Sequence, residues 1–295
     1  RKDILEIHMK GKKLADNIDL GIIARGTPGF TGADLANLAN ESALLAARRG
    51  KDCIELSELE ESMERVMAGP LRKSRVMSDK EKEVIAYHEV GHALVAAYLE
   101  NTDPVHKISI LPRGRAVGYA LQFPTEDKYL ITSDEILNTI KVLMGGRIAE
   151  EITFNEITSG ASNDIERATD MAKNFVCIYG MSSKLGTRKY GQSESQVFLG
   201  KQYGNVNKDY SEYIAREIDE EIRQIISDCY EEAKKILIKN KGQLKNISEI
   251  LLEKETIDGQ EFLDLIGVKK KAKKKKSIKP KVKAGSDVKE ATTSS

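Results

Sequence analysis

Apolar positions recur with a helical period over most of the chain, and polar capping residues punctuate them. Near the amino end, "ILEIHMK" is apolar at Ile4, Leu5 and Ile7, and "DLGIIARG" reads as a short helix ending at Gly26. Next comes "TGADLANLANESALLAARRG", with apolar Leu35, Leu38, Leu44 and Leu45. Thr31 and Asp34 are spaced for reciprocal capping of its start, and Gly50 after Arg48 and Arg49 marks its end. In "SELEESMERVMAG", Ser57 and Glu60 predict another capping box. The polar stretch "GPLRKSRVMSDKEK", which contains Pro70, reads as a connection between two units.

A further box, Ser78 with Glu81, opens the helix containing "AYHEVGHALVAAYLE". Small residues Gly91, Ala93, Ala96 and Ala97 there predict tight packing against another element. "VHKISILPRG" and "AVGYALQFP" are short and β-rich, and Pro112, Arg113 and Gly114 separate them, so they read as two strands. Thr132 with Glu135 caps the helix of "TSDEILNTIKVLMGGRIAEEI". The turn-rich "TSGASND" leads into "IERATDMAKNFVCIYG", where Ile165, Ala168, Ala172, Phe175, Val176 and Tyr179 predict a helix ending at Gly180. Ile214, Ile218, Ile222, Ile225, Cys229, Ala233 and Ile236 mark the buried stripe of a long helix from about Tyr210 to Lys239. The fold class predicted is mainly α with a small sheet. From Val268 the chain turns lysine-rich and of low complexity, a composition expected to stay disordered.

The 295 residues are enough for about two domains. Basic and acidic residues number 47 and 46, a balance that argues against a dedicated nucleic-acid binder. Cys53, Cys177 and Cys229 form no CxxC pair, which suits a reducing compartment. No apolar run approaches the 18 or so residues of a membrane span, and no signal peptide opens the chain. It begins within a helical pattern and without Met, so it reads as a piece of a longer protein.

The chemistry concentrates at His88, Glu89 and His92. Residues four apart on a helix share a face, roughly 5–6 Å apart at Cβ, so two imidazoles can converge on one metal ion. Glu89 lies between them, placed to reach a water on that metal without ligating it. Zinc lowers the pKa of such a water toward about 7, and the glutamate takes its proton. The bland alternative is a core helix with two satisfied histidines. A catalytic zinc takes a third protein ligand. No histidine follows at the extended-motif spacing, because position 98 is Tyr98. His8 belongs to the other unit, and His106 precedes a strand. The third ligand is therefore expected to be a carboxylate: Asp164 in "TSGASND", or Glu150 or Glu151 in "GGRIAEE".

Taken together, "AYHEVGHALVA", "LMGGRIAEEITF", "TSGASNDIERAT" and "YGMSSKLG" resemble the zinc peptidase domain of the FtsH family of membrane-anchored, ATP-dependent AAA proteases. "ILEIHMK" and "LADNIDLGIIARGTPGFTGADLANLANESALLAAR" resemble that family's helical AAA lid. "VMAGPLRKSRVMSDKEK" is similar to its junction between ATPase and protease. The likeness covers roughly residues 1–267. It implies a helical AAA lid over 1–70, a linker over 71–82 and a mostly helical zinc metallopeptidase domain with a small β-sheet over 83–267, ahead of a lysine-rich tail over 268–295.

The resemblance implies His88 and His92 as zinc ligands, Glu89 as catalytic base and Asp164 as the third ligand. In the lid it places His8, Gly32 and Ala33 beside adenine. Implied cofactors are one zinc per chain and, in the full-length protein, ATP with magnesium. The implied substrates are unfolded, damaged or short-lived membrane and soluble proteins, cut as an endopeptidase would cut them inside a homohexamer. The implied setting is the cytoplasmic face of a bacterial inner membrane, through an anchor missing from this chain, with the fragment itself soluble and no specific nucleic acid bound. "VGYALQF" resembles the sheet edge along which the family lays its substrate as an added strand.

Two departures stand out. Val90 replaces the usual Ala of the motif, a position that ligates nothing, so only packing should change. No GxxxxGK[ST] occurs, so this chain is expected not to hydrolyse ATP. A binding or chaperone role with lost peptidase activity is the rival reading. The presence of His88, Glu89, His92 and Asp164 argues against it. A third reading, anion binding through the Lys269–Lys283 run, lacks aromatics and a folded frame, so a solvated tail is expected there.

Overall fold

The apolar stripes close into two separate cores, one drawn from residues before Val66 and one from residues after it. The structure, a computed structural model, describes residues 1–71, 77–114, 117–122, 128, 130–191 and 209–267. The lysine-rich tail, much of the expected linker and the end of the second predicted strand lie outside the described residues.

The first core joins α1 (Lys2–Met9), α2 (Leu20–Arg25), α3 (Gly32–Arg48) and α4 (Leu56–Ala68). The inward residues of α1 are Leu5 and Met9, whereas Ile4 and Ile7 are exposed. On α3, Leu35 and Leu38 are buried as the period predicts. Leu44 is exposed, and Ala39, Ser42 and Ala46 take the remaining inner positions. The Thr31–Asp34 box is present.

The box expected at Ser57 and Glu60 is not the one that forms. The helix starts two residues earlier, with Glu55 at the N-cap and Glu58 accepting its backbone N–H at 3.1 Å. The reason is electrostatic: Arg49 and Lys51, just upstream, reach the buried Glu58 carboxylate at 2.5 and 3.0 Å and fix it there. Burial opposes the charge on Glu58, but Arg49, Lys51 and Ser57 hold its pKa down at about 2.

That depression has a testable sign. A carboxyl whose folded pKa lies below its unfolded value stabilises the fold above the unfolded value, about 4.3. The contribution disappears as pH falls from there through the folded value. Arg49 is open to solvent, so we expect about 2 kcal/mol at neutral pH. Thermal unfolding of wild type and Glu58→Gln should differ at pH 7 and converge by about pH 2. Curves that stay parallel through that window would remove the linkage.

The second core forms around α5 (Asp79–Tyr98), which is buried without a break from Ala86 to Ala96. Its Ser78–Glu81 capping box is present. Crossing it is α6 (Ser133–Phe154), opened by the Thr132–Glu135 box. The crossing explains the small residues of α5. A Cβ on Gly91 would lie 2.5 Å from the Gly145 carbonyl oxygen, and one on Gly145 would lie 2.8 Å from the Gly91 oxygen. Only glycine at both positions lets the two backbones touch.

Around this pair pack α7 (Ser162–Cys177), α8 (Glu212–Lys239), α9 (Lys241–Lys254) and α10 (Gly259–Leu265). On α7, Ala168, Ala172, Phe175 and Val176 face the core, while Ile165 and Tyr179 at the ends of the expected stripe are exposed. On α8 the innermost residues are Ile218, Cys229, Ala233 and Leu237, the last taking the place expected for Ile236.

The small sheet contains the two predicted strands, β1 (Val105–Ser109) and β2 (Tyr119–Gln122), and an unpredicted third, β3 (Thr256–Asp258). The order is β2-β1-β3, all antiparallel, with Ile108 opposite Ala120 on one side and Ile257 on the other. His106 lies within β1 rather than before it. β2 is an edge strand. Among the described residues, no helix is long and apolar enough to cross a membrane.

Candidate metal and peptidase site

Helix α5 sets His88, Glu89 and His92 one turn apart at its buried centre. Facing elements fix the direction of both imidazoles. His92 Nδ1 meets the Val142 carbonyl oxygen at 2.7 Å. A carbonyl can only accept, so that nitrogen carries the proton and Nε2 offers a lone pair. His88 Nδ1 meets Glu150 Oε1 at 2.6 Å, and Glu150 is itself held by the Thr158 backbone N–H at 2.9 Å.

The remaining ring nitrogens converge. His88 Nε2 and His92 Nε2 are 3.0 Å apart, and Asp164 Oδ2 lies 3.3 and 3.4 Å from them. Asp164 sits in the first turn of α7. The preceding single turn, Ser159–Ala161, is capped by Thr158, whose hydroxyl accepts the Gly160 N–H at 3.1 Å. The turn-rich segment therefore aims this carboxylate.

Burial opposes charge on His88, yet hydrogen bonds from Asp164 and Glu150 raise its pKa to about 10. Burial likewise works against the Asp164 carboxylate, and His88 and His92 together hold its pKa well below the usual range. Three acceptor atoms meeting this closely fit a cation between them. A tetrahedral zinc with bonds of about 2.0–2.1 Å to nitrogen and 2.0–2.2 Å to oxygen separates its ligand atoms by about 3.3–3.5 Å. The nitrogen and oxygen donor set is a zinc set, and it leaves a fourth position open.

Glu89 points beside this cluster and contributes none of its convergent atoms. Burial pushes its carboxyl up, while the two histidines pull it back. The Ala120 backbone of β2 also favours its charged form. A Cβ on Gly118 would come within 2.9 Å of Glu89 Oε1, so glycine is what allows this approach.

Of the acidic candidates, only Asp164 joins the histidines. Glu150 stands behind His88, and Glu151 faces away, bound to Tyr230 and to Lys234 at 2.9 Å. Sequence reasoning missed Val142 and Gly146 on α6, and named Glu150 as a rival ligand rather than as the partner of His88 Nδ1. A Cβ on Gly146 would lie 2.5 Å from His88 Nε2 and 2.6 Å from His92 Nε2, so its missing side chain is the space the nitrogens use. The three residues are spaced four apart, one helical face laid against the histidines, and that spacing was the available signal.

In the other unit, His8 is half-buried on α1, and its carbonyl accepts the Lys12 ammonium at 2.7 Å. Gly32 and Ala33 are exposed in the first turn of α3. A Cβ on Gly32 would meet nothing within 4 Å. These residues form no part of the histidine cluster.

Fold and site together define a zinc metalloprotease: a buried helix with the His-Glu-x-x-His spacing, a carboxylate from a second helix, and a strand beside the glutamate. Comparison with known proteins gives the family. The profile of peptidase family M41 matches residues 75–265, and that of the AAA+ lid domain matches residues 17–61. The chain belongs to peptidase family M41, as an FtsH-type zinc metalloprotease fragment.

It is 56% identical over 263 residues to the ATP-dependent zinc metalloprotease FtsH of Thermotoga maritima, covering 89% of this chain and 43% of that protein. It is 52% identical over 267 residues to the protein of the same name from Pseudothermotoga lettingae, covering 90% of this chain and 42% of that protein. The ATP-dependent zinc metalloprotease FtsH 3 of Petrotoga mobilis is 53% identical over 267 residues, 90% of this chain and 41% of that protein. The chain thus spans about two fifths of the length of these relatives.

Proposed function

We propose that the chain is the proteolytic portion, with the attached lid, of a membrane-anchored, ATP-dependent endopeptidase that degrades unfolded, damaged or short-lived membrane and soluble proteins. The observation behind this reading is the convergence of His88, His92 and Asp164, with Glu89 buried alongside. His88, His92 and Asp164 would hold one zinc. When bound, zinc polarises the scissile carbonyl and brings a coordinated water toward a pKa of about 7. Glu89 acts as general base and then passes its proton to the leaving amine. Glu150 and the Val142 carbonyl keep the imidazoles in the ligating tautomer. Strand β2, at the edge of the three described strands, would receive an extended substrate as an added strand.

In this reading residues 1–70 are the lid, 71–82 the linker and 83–267 the peptidase domain, followed by the lysine-rich segment 268–295. His8, Gly32 and Ala33 would lie beside adenine when ATP and magnesium bind the full-length protein. That protein would work as a homohexamer at the cytoplasmic face of a bacterial inner membrane. The relatives' names, ATP-dependent zinc metalloprotease, support the zinc and the ATP dependence.

The test is cleavage of unfolded casein peptides by the chain after zinc reconstitution, with the metal counted. We expect about one zinc per chain, loss of cleavage on chelation and its return with added zinc. A chain that holds one zinc and cuts nothing, even when joined to the remainder of the full-length protein, would overturn the peptidase reading.

A further inference from the structure

Outside the metal site, a cluster of buried charges lies where the two units meet. Arg113, in the turn between β1 and β2, is 1% exposed. Its Nη2 reaches Glu61 and Glu64 of helix α4 at 2.7 and 2.8 Å. Its Nε donates to the Tyr119 hydroxyl at 3.1 Å, and that hydroxyl donates to Glu64 at 3.0 Å. Lys107 of β1 reaches the other oxygen of Glu64 at 2.9 Å. Backbone contacts run alongside. Leu71 bridges Arg113, and the Gly114 N–H donates to the Pro70 carbonyl at 3.2 Å. A Cβ on Gly69 would lie 3.1 Å from Gly114 Cα, and Gly69 has a φ of 88°.

These contacts tie α4 to one particular strand. Tyr119 begins β2. Its predecessor Gly118 lies against Glu89, so close that a Cβ there would come within 2.9 Å of Glu89 Oε1. One hydrogen bond, from Tyr119 to Glu64, and one residue of chain therefore separate Glu64 of the first unit from the glycine that lies against Glu89. A buried charge network of this kind costs desolvation, and a well-packed apolar contact could match its stability. What it supplies that an apolar contact does not is a single fixed placement.

We propose that Glu64, Arg113 and Tyr119 are positioning residues through which the lid helix sets β2 beside Glu89, so that displacement of the lid is transmitted to the strand that receives substrate. This rests on the peptidase reading for its consequence, but not for its mechanics. The coupling runs through hydrogen bonds whose loss changes little volume.

The test uses Glu64→Gln, made in the lid, and Tyr119→Phe, made in the strand, in the zinc-loaded chain. Amide hydrogen exchange is followed at residues 119–122 and along α6 and α7. We expect exchange in β2 to rise about tenfold or more in both variants with α6 and α7 unchanged. We expect KM for an unfolded peptide to rise about fivefold at constant zinc content and near-constant kcat, the pattern of lost binding rather than lost chemistry. The double variant should match the single ones instead of adding to them.

Unchanged exchange in β2 in both variants would overturn the proposal. So would a uniform rise across the second core, the mark of a merely structural role. If Glu64→Gln does not fold, Tyr119→Phe, which removes one hydroxyl, decides the matter. A wild-type chain that cuts no peptide defeats the peptidase reading, while exchange still decides the coupling.

Discussion

We expect Glu89→Gln to leave the zinc in place and to lower peptide cleavage by about 10²–10⁴-fold, the usual worth of a positioned general base. The substitution is nearly isosteric, which matters at this position. Gly118 approaches Oε1 so closely that a Cβ there would lie 2.9 Å from it, so a larger side chain at position 89 would be crowded. Glutamine keeps both the volume and an acceptor. What it lacks is basicity. Glu89 supplies none of the three convergent donor atoms, so zinc content and affinity should match wild type. Zinc by atomic absorption and kcat on a casein peptide, measured on the same preparation, separate the two effects. Cleavage within about tenfold of wild type would remove Glu89 as the base. Loss of zinc would show that it holds the metal or the helix instead.

Some of this site was legible before any coordinates, and the physical division is clear. The period of α5 put His88 and His92 on one face because a helix fixes that relation locally. Capping boxes at Thr31, Ser78 and Thr132 were equally local and are present. The box at Ser57 was not, because ion pairs from Arg49 and Lys51 placed the helix start at Glu55. Strand β3, with three residues, is too short to show a period, and its pairing with β1 joins segments far apart in sequence. Choosing among Asp164, Glu150 and Glu151 required knowing where the first turn of α7 comes to lie relative to the histidines of α5. Spacing alone left all three open, and only the family resemblance ordered them. The exposure of Ile165 and Tyr179 has the same origin. A periodic stripe shows which face turns inward, but how far along the helix the core extends depends on its neighbours.

The same placement of the start of α7 sets the second large effect. Asp164→Ala should abolish stoichiometric zinc at micromolar free metal, because it removes the one anionic donor and leaves two neutral imidazoles. Asp164 approaches from α7, so α5 and its histidines should keep their places. Glu150→Gln tests a different link. Glu150 bonds the far nitrogen of His88 and is held by the Thr158 N–H, so it orients a ligand without being one. Its loss should weaken zinc affinity by about 10–100-fold, the usual cost of removing such an orienting partner. Glu151→Gln should leave zinc affinity unchanged, since Glu151 faces Tyr230 and Lys234. Competition against a chelating dye gives all three affinities on one scale. The required order is Asp164→Ala weakest, then Glu150→Gln, then Glu151→Gln at the wild-type value. Glu150→Gln weaker than Asp164→Ala would make Glu150 the ligand and Asp164 the bystander. A folded Asp164→Ala with wild-type affinity would mean that the carboxylate beside the two imidazoles is there to balance charge and not to bind metal.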